Sequence, residues 1–254
     1  MLGSTQHLAI VTGAARRLGR AIALRLAREG CDVILHYNSS APEAADVARE
    51  IETMDRRVLA IAFDQSKSDE ITAGMAKVMS AFGRVPDVLV NCASIFEWDT
   101  ITSVETESLQ KHYATNVIGP VLLTRAIADA ADANTRGLII NLLDTKLHNP
   151  NPDHLSYTLS KYALDGFTTL MARALAPRFR VCAIAPGHTL PAPGESQEHF
   201  EQVHNATPLR RGPSPDDIAS AAAFLLNNAA VTGQTIIVDG GAFMRASDRD
   251  TSFH

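Results

Sequence analysis

The stretch HLAIVTGAARRLGRAIALRLAREGCDVILHY, residues 7–37, reads as strand, turn, helix and strand. HLAIVT (7–12) and DVILHY (32–37) are short apolar runs of the kind found in parallel strands buried on both faces. Between them, LGRAIALRLAREG (18–30) carries apolar residues at three-to-four-residue spacing and stops at Gly30, as a helix with a glycine C-terminal cap does. The alternation continues outward through RVLAIAF (57–63), DVLVN (87–91), GLIINLL (137–143), RVCAIA (180–185) and TIIVD (235–239), with helix-patterned segments between them. Seven strands with intervening helices predict an α/β chain with a doubly wound, seven-stranded parallel sheet and helices on both faces. No internal repeat, low-complexity segment or linker divides residues 1–254, so a single domain is expected.

Composition agrees with one full core: 46% of the 254 residues are hydrophobic and 20% charged. The net charge of -5 points away from nucleic acid or an anionic membrane as main partner, so any phosphate site must be local. The N-terminal MLGSTQHLAIVTG has no basic region before its apolar run and reads as a strand entry, with no signal peptide, and no apolar stretch reaches bilayer-spanning length. Cys31, Cys92 and Cys182 are odd in number and widely spaced, which implies neither a disulfide framework nor a metal site. A reducing, cytoplasmic setting is expected.

The turn TGAARRLGRA (12–21) sits between a strand and a helix, where backbone N–H groups can approach a pyrophosphate at the positive end of the helix dipole. It holds Gly13 and Gly19, with Arg17 where a middle glycine is usual, and its guanidinium groups suit phosphate oxygens. The end of the second strand, HYNSSAPEA, has no acid before Glu43. An acid there would serve the ribose hydroxyls of NAD and repel a 2′-phosphate, so neutral His36, Tyr37, Asn38 and Ser39 favour NADP(H). Ser40 is placed to cap the helix that follows.

In LLDTKLHNPNPDHLSYTLSK (142–161), Tyr157 and Lys161 are four apart, and Asp144 stands thirteen residues before the tyrosine. If 156–176 is a helix, the two lie on one face, where the ammonium can stabilise a tyrosinate. An ionised Asp144 accepts hydrogen bonds but donates none to a ketone oxygen, which suits a cationic or N–H-rich substrate, or protonation of a ring nitrogen during C=N reduction. HTLPAPGESQEHFEQVHNA (188–206), with Pro191, Pro193 and Gly194 followed by a polar helix-like stretch, reads as a mobile substrate loop. His188 and His199 within it receive no role.

Taken together, TGAARRLG (12–19), NCAS (91–94), Asn116 in HYATNV (112–117), YTLSK (157–161), Pro186-Gly187 and VTGQTIIVDGG (231–241) resemble the short-chain dehydrogenase/reductase family over nearly the whole chain. That resemblance implies a single-domain Rossmann-type fold, NADPH/NADP+ as cofactor and hydride transfer from its nicotinamide. It implies Tyr157 in proton transfer, Lys161 lowering its pKa and holding the nicotinamide ribose, and Asn116 ordering a proton-relay water. The implied cofactor set is Gly13, Arg16, Arg17, Leu18, Gly19, His36, Tyr37, Asn38, Ser39, Asp64, Asn91, Ala93, Ser94, Tyr157, Lys161, Pro186 and Gly187.

The chain departs from the general family pattern at Arg17, at Cys92 for a second asparagine, and at Asp144 for the catalytic serine. In these departures it resembles the pteridine reductase branch, together with His36-Tyr37, Ser94 and Phe96, although Asn38-Ser39 stand beside the turn where many of those enzymes have an arginine. That resemblance implies Phe96 stacking on a pterin, Arg17 and Ser94 at its polar edge, and Asp144 with Tyr157 as the proton-delivery pair. The expected activity is NADPH-dependent reduction of a dihydropterin, with folates also considered, in a homotetramer. The alternatives are reduction of another C=N or C=O substrate, and a non-catalytic NADP(H)-binding sensor.

Overall fold

A computed structural model describes residues 6–192, 194–245 and 248–250. The strands are β1 (Leu8–Val11), β2 (Asp32–Tyr37), β3 (Val58–Ala62), β4 (Val88–Asn91), β5 (Gly137–Leu142), β6 (Phe179–Pro186) and β7 (Thr235–Val238). They form one parallel sheet in the order β3-β2-β1-β4-β5-β6-β7. The order reverses between β1 and β4, which opens a crevice beyond the carboxyl ends of those two strands.

Around the sheet lie α1 (Arg17–Arg28), α2 (Ala41–Glu52), α3 (Ser68–Phe82), α4 (Thr106–Tyr113), α5 (Gly119–Ala130), α6 (Leu155–Ala174), α7 (Gln197–Ala206) and α8 (Pro215–Asn227). Because successive residues of a strand face opposite ways, β1 feeds two cores. Ala9 and Val11 pack with Ile22 and Leu26 of α1 and Ile218 and Leu225 of α8, while Leu8 and Ile10 pack with Val78 of α3 and Leu123 and Ile127 of α5. Each fully buried Val, Leu or Ile side chain among them contributes about 1.5–3 kcal/mol.

The observed elements fit the sequence pattern with ends moved by a residue or two. The first helix ends before Gly30, whose φ of +95° is the left-handed conformation that a glycine adopts freely. The helix carrying Tyr157 runs Leu155–Ala174 rather than 156–176. Ser40 does precede α2, but its side chain makes no capping bond. The substrate loop resolves into an irregular segment and α7, whose N-cap Ser196 accepts from His199 N–H at 3.1 Å. Pro193 of that loop lies outside the described residues. One feature had no sequence signal: residues Ala114–Ile118 between α4 and α5 form a π-turn, a form that recurs at functional sites, and Asn116 is in it. Among the described residues no helix is long and apolar enough to cross a membrane.

Candidate active site

The crevice between β1 and β4 holds the glycine turn. Gly13 has φ +66°, and a Cβ there would lie 3.0 Å from Ala93 Cα, so the turn touches the β4 segment backbone to backbone. At Gly19 a Cβ would stand 2.2 Å from the Gly13 carbonyl oxygen. Thr12 closes the same gap from β1: its hydroxyl oxygen accepts Cys92 N–H at 3.0 Å and Ala93 N–H at 2.9 Å. These contacts leave a cleft of about 410 Å³ whose walls include Arg16, Leu18, Tyr37, Asn38, Ser39 and Asp64, with Ala93 and Ser94 opposite. The two glycines let the turn and the start of α1 pack this closely, and at the β2 end of the cleft no acid precedes Glu43, which is already paired with Arg16 at 2.6 Å. The residues present fit a dinucleotide carrying a 2′-phosphate.

Three expected cofactor residues turn out differently placed from a simple lining role. His36 is buried, its Nε2–H donates to Phe63 O at 2.8 Å, and its Nδ1 faces Gly13 N–H at 3.4 Å. Burial pushes its pKa down to about 4, so it is a neutral brace under the glycine turn. Asn91 is also turned inward: its Nδ2 donates to Asn141 Oδ1 at 2.8 Å, and Asn141 Nδ2 donates to Thr168 Oγ1 on α6 at 2.9 Å. It therefore ties β4 to β5 and α6, while Cys92, Ala93 and Ser94 take the cleft wall. Arg17 adopts φ +50°, the conformation its missing glycine would have held easily, and its guanidinium donates to Pro191 O at 3.1 Å and Leu190 O at 3.4 Å. The turn is thereby linked to the substrate loop.

Beside this cleft, and sharing Arg17 and Leu18 with it, lies a cavity of about 630 Å³. Asp144, Tyr157, Phe96, Pro186 and Gly187 line it together. Gly187 is held there by space as well as chain direction, since a Cβ would meet Asp239 Cβ at 2.7 Å. Tyr157 Oη donates to Asp144 Oδ2 at 2.7 Å, and Asp144 Oδ1 accepts Lys146 N–H at 2.8 Å. One turn along α6, Lys161 Nζ donates to Leu142 O at 2.7 Å and lies 5.5 Å from the Tyr157 ring centroid. Asn116 bridges inward, with Oδ1 accepting Ile95 N–H at 2.9 Å and Nδ2 donating to Ser160 Oγ at 3.0 Å.

The electrostatics differ from the sequence expectation in one direction. Burial, then the Asp144 carboxylate, push the Tyr157 phenol well above its ordinary pKa, where Lys161 was expected to lower it. The reasons are the burial of the phenol and the order of charges around it: the nearest charged partner of the hydroxyl is an acid at 2.7 Å, not the ammonium. Burial also raises Asp144 and brings Lys161 down to about 8. At neutral pH the phenol is therefore protonated and donates to the Asp144 carboxylate.

Phe96, 48% exposed, meets Tyr157 edge-on at 4.7 Å between centroids and stacks on His154 at 3.9 Å. Its outer surface opens to the cavity. Ser94 Oγ donates to Ile95 O at 3.3 Å from the adjoining cleft wall. Several supporting residues carried no sequence signal. Gln65 reaches beneath the cleft to Thr115 O at 2.8 Å, and Asp239 receives Thr145 Oγ1–H at 2.6 Å from the turn that bears Asp144. On the substrate loop, Glu195 gathers His188 at 3.0 Å and His199 at 3.4 Å. Among the described residues no cluster could hold a metal ion.

Comparison with known proteins agrees with this geometry. The adh_short_C2 family model, described as enoyl-(acyl carrier protein) reductase, matches residues 13–242. The 3-oxoacyl-[acyl-carrier-protein] reductase FabG of Staphylococcus epidermidis is 35% identical over 241 residues, covering 93% of this chain and 98% of that one. Among solved structures, FolM alternative dihydrofolate reductase 1 of Brucella canis, complexed with NADP, is 33% identical with a TM-score of 0.89 and 96% coverage of both chains. The promiscuous reductase LugOII, which catalyses keto-reduction at C1 during lugdunomycin biosynthesis, is 29% identical with a TM-score of 0.87, over 94% of this chain and 98% of its own. With the doubly wound sheet, the glycine turn and the Tyr157–Lys161 pair in place, the chain belongs to the short-chain dehydrogenase/reductase family.

Proposed function

We propose that this oxidoreductase is an NADPH-dependent reductase of pterins, converting a dihydropterin to the tetrahydro form. The observation that carries the reading is the Tyr157–Asp144 hydrogen bond on the wall of a cavity faced by Phe96. The cofactor is NADP(H), as in the FolM complex, and the neutral β2 end leaves room for its 2′-phosphate. Bound NADPH supplies the hydride. Phe96 offers a flat face for the ring, and Arg17 and Ser94 offer donors toward its polar edge. Asp144 pairs with the ring's N–H groups, and the phenol of Tyr157 delivers the proton that the reduced nitrogen takes up. Lys161 holds the nicotinamide ribose with the N–H donors that Leu142 O leaves over. Asn116 is assigned to proton resupply. A cytoplasmic homotetramer is the assembly we expect.

Carbonyl reduction is the second reading, favoured by the likeness to the 3-oxoacyl reductase FabG and the keto-reductase LugOII. Asp144 argues against it, because a carboxylate facing a polarised ketone oxygen repels the charge that develops there. A non-catalytic sensor would have little use for Tyr157 and Asn116. The test follows NADPH oxidation with a 7,8-dihydropterin, a simple ketone and an imine, using wild type and Asp144→Ser. Turnover confined to the dihydropterin and lost on substitution is expected; ketone turnover that survives or improves in Asp144→Ser would remove the pterin assignment.

A pH dependence follows from Lys161. Its lowered pKa of about 8 means that the ammonium required by the ribose is titrated away above that value. NADPH affinity should be level below pH 8 and weaken about tenfold per unit above it, as binding linked to one proton requires. Lys161→Met should bind weakly at every pH with that slope abolished; titration by cofactor fluorescence distinguishes the two, and an unchanged slope in the variant would assign the effect to another group.

A further inference from the structure

Helix α6 delivers Tyr157 from its first turn, yet that turn lacks an ordinary cap. The N-cap residue, His154, has φ +53° and its side chain makes no capping bond. The first backbone N–H groups are met instead by a residue from a distant segment. Leu155 N–H donates to Asp99 O at 3.2 Å, and Ser156 N–H donates to Asp99 Oδ1 at 3.0 Å. Asp99 Oδ2 accepts the hydroxyls of Ser156 and, at 2.9 Å, of Ser108 on α4. Asp99 is 4% exposed. Burial raises its pKa, but the bonds from Ser156 and Ser108 lower it further, so it is an anion at the positive end of α6.

The chain around Asp99 is itself fixed. Glu97 O faces His154 Nδ1 at 3.0 Å, and Glu97 N–H donates to His112 Nε2 at 3.4 Å. Three residues before Asp99 stands Phe96, stacked on His154 and edge-on to Tyr157. Residues 96–99 thus touch the ring platform at one end and the base of the proton donor at the other.

We propose that Asp99 is a positioning residue for the reaction: it caps α6 in place of a local side chain and so sets Tyr157 against Asp144 and the ring held by Phe96. The proposal rests on the reading of Tyr157 as proton donor. Both bonds to Ser156, the immediate neighbour of Tyr157, run through one carboxylate, so their loss frees the turn that carries the phenol. An error of about 1 Å in such a group lowers turnover by up to about a hundredfold.

Asp99→Ala and Asp99→Asn should be compared with Tyr157→Phe in the dihydropterin assay, with NADPH affinity measured separately. Asp99→Ala should lose about tenfold to a hundredfold in kcat with KM and NADPH affinity changed little, which separates positioning from binding. Asp99→Asn keeps an acceptor for Ser156 N–H and offers N–H donors to the two hydroxyls, so most of kcat should return. Wild-type kcat in Asp99→Ala, with Tyr157→Phe inactive, would overturn this inference and leave the function standing. Equal losses of kcat and NADPH affinity in both Asp99 variants would also overturn it, assigning the residue to general stability. Full turnover by Tyr157→Phe would remove the function and this inference together.

Discussion

Tyr157→Phe should lower kcat about 10²–10⁴-fold, the range a positioned general acid supplies, while NADPH affinity stays close to wild type. The substitution removes one oxygen and no packing. The ring that meets Phe96 at 4.7 Å and lies 5.5 Å from Lys161 Nζ is retained, so neither the stacking platform nor the ribose-binding ammonium is displaced. What is lost is the hydroxyl 2.7 Å from Asp144 Oδ2. Asp144 keeps its bond from Lys146 N–H, and its already raised pKa rises further without the phenol's donation, so the acid shifts toward its protonated form. The measurement is steady-state turnover beside NADPH fluorescence titration. Loss of cofactor binding in parallel with turnover would show that Tyr157 holds the dinucleotide instead of transferring a proton.

The alternation of strands and helices was readable because each element is marked locally: a run of Val and Ile buried on both faces, or an apolar stripe of helical spacing. The glycine turn and the Tyr157–Lys161 pair were readable for the same reason, being set by short spacings within one element. Interactions between elements were not. The family motif at 91–94 suggests three cofactor-facing residues, Asn91, Ala93 and Ser94, but Asn91 at the end of β4 bonds across to Asn141 on β5, and the loop that follows carries Ala93 and Ser94 along the cleft. The direction of the Tyr157 shift was misjudged because sequence reveals the nearby ammonium on the same helix, not the burial of the phenol or its distance from Asp144. Asp99, Gln65 and Asp239 were invisible, since nothing local distinguishes a polar loop residue that will cap another helix or brace another turn from one that faces water. Arg17 was located by its place in the motif, yet its left-handed backbone and its bonds to the substrate loop needed the fold.

Gly19→Ala should destabilise the protein and nearly abolish NADPH binding, against the ordinary preference of a helix for alanine. Gly19 lies within α1, where alanine is favoured over glycine by about 1 kcal/mol. The opposing effect is larger. A Cβ would stand 2.2 Å from Gly13 O, 2.7 Å from Gly13 C and 3.1 Å from Ala14 Cα, all of them backbone atoms that no rotamer change can move aside. The turn cannot retreat, because on its other side Gly13 already touches Ala93 and its N–H faces His36. Relief must come from moving α1 away from the turn, at about 1–3 kcal/mol or more of overpacking strain, which corresponds to a Tm lower by roughly 2–12 °C for a chain of this size. That same movement withdraws the N-terminal N–H groups of α1 from the pyrophosphate they would hold. Gly30→Ala is the matched control: its Cβ would meet nothing within 4 Å, so only the left-handed φ of +95° is strained. It should lower Tm by a few degrees and leave NADPH affinity intact. Thermal unfolding and cofactor titration of the two variants therefore separate a general loss of stability from a loss at the cradle, and wild-type NADPH affinity in Gly19→Ala would mean that the glycine turn is not where the dinucleotide binds.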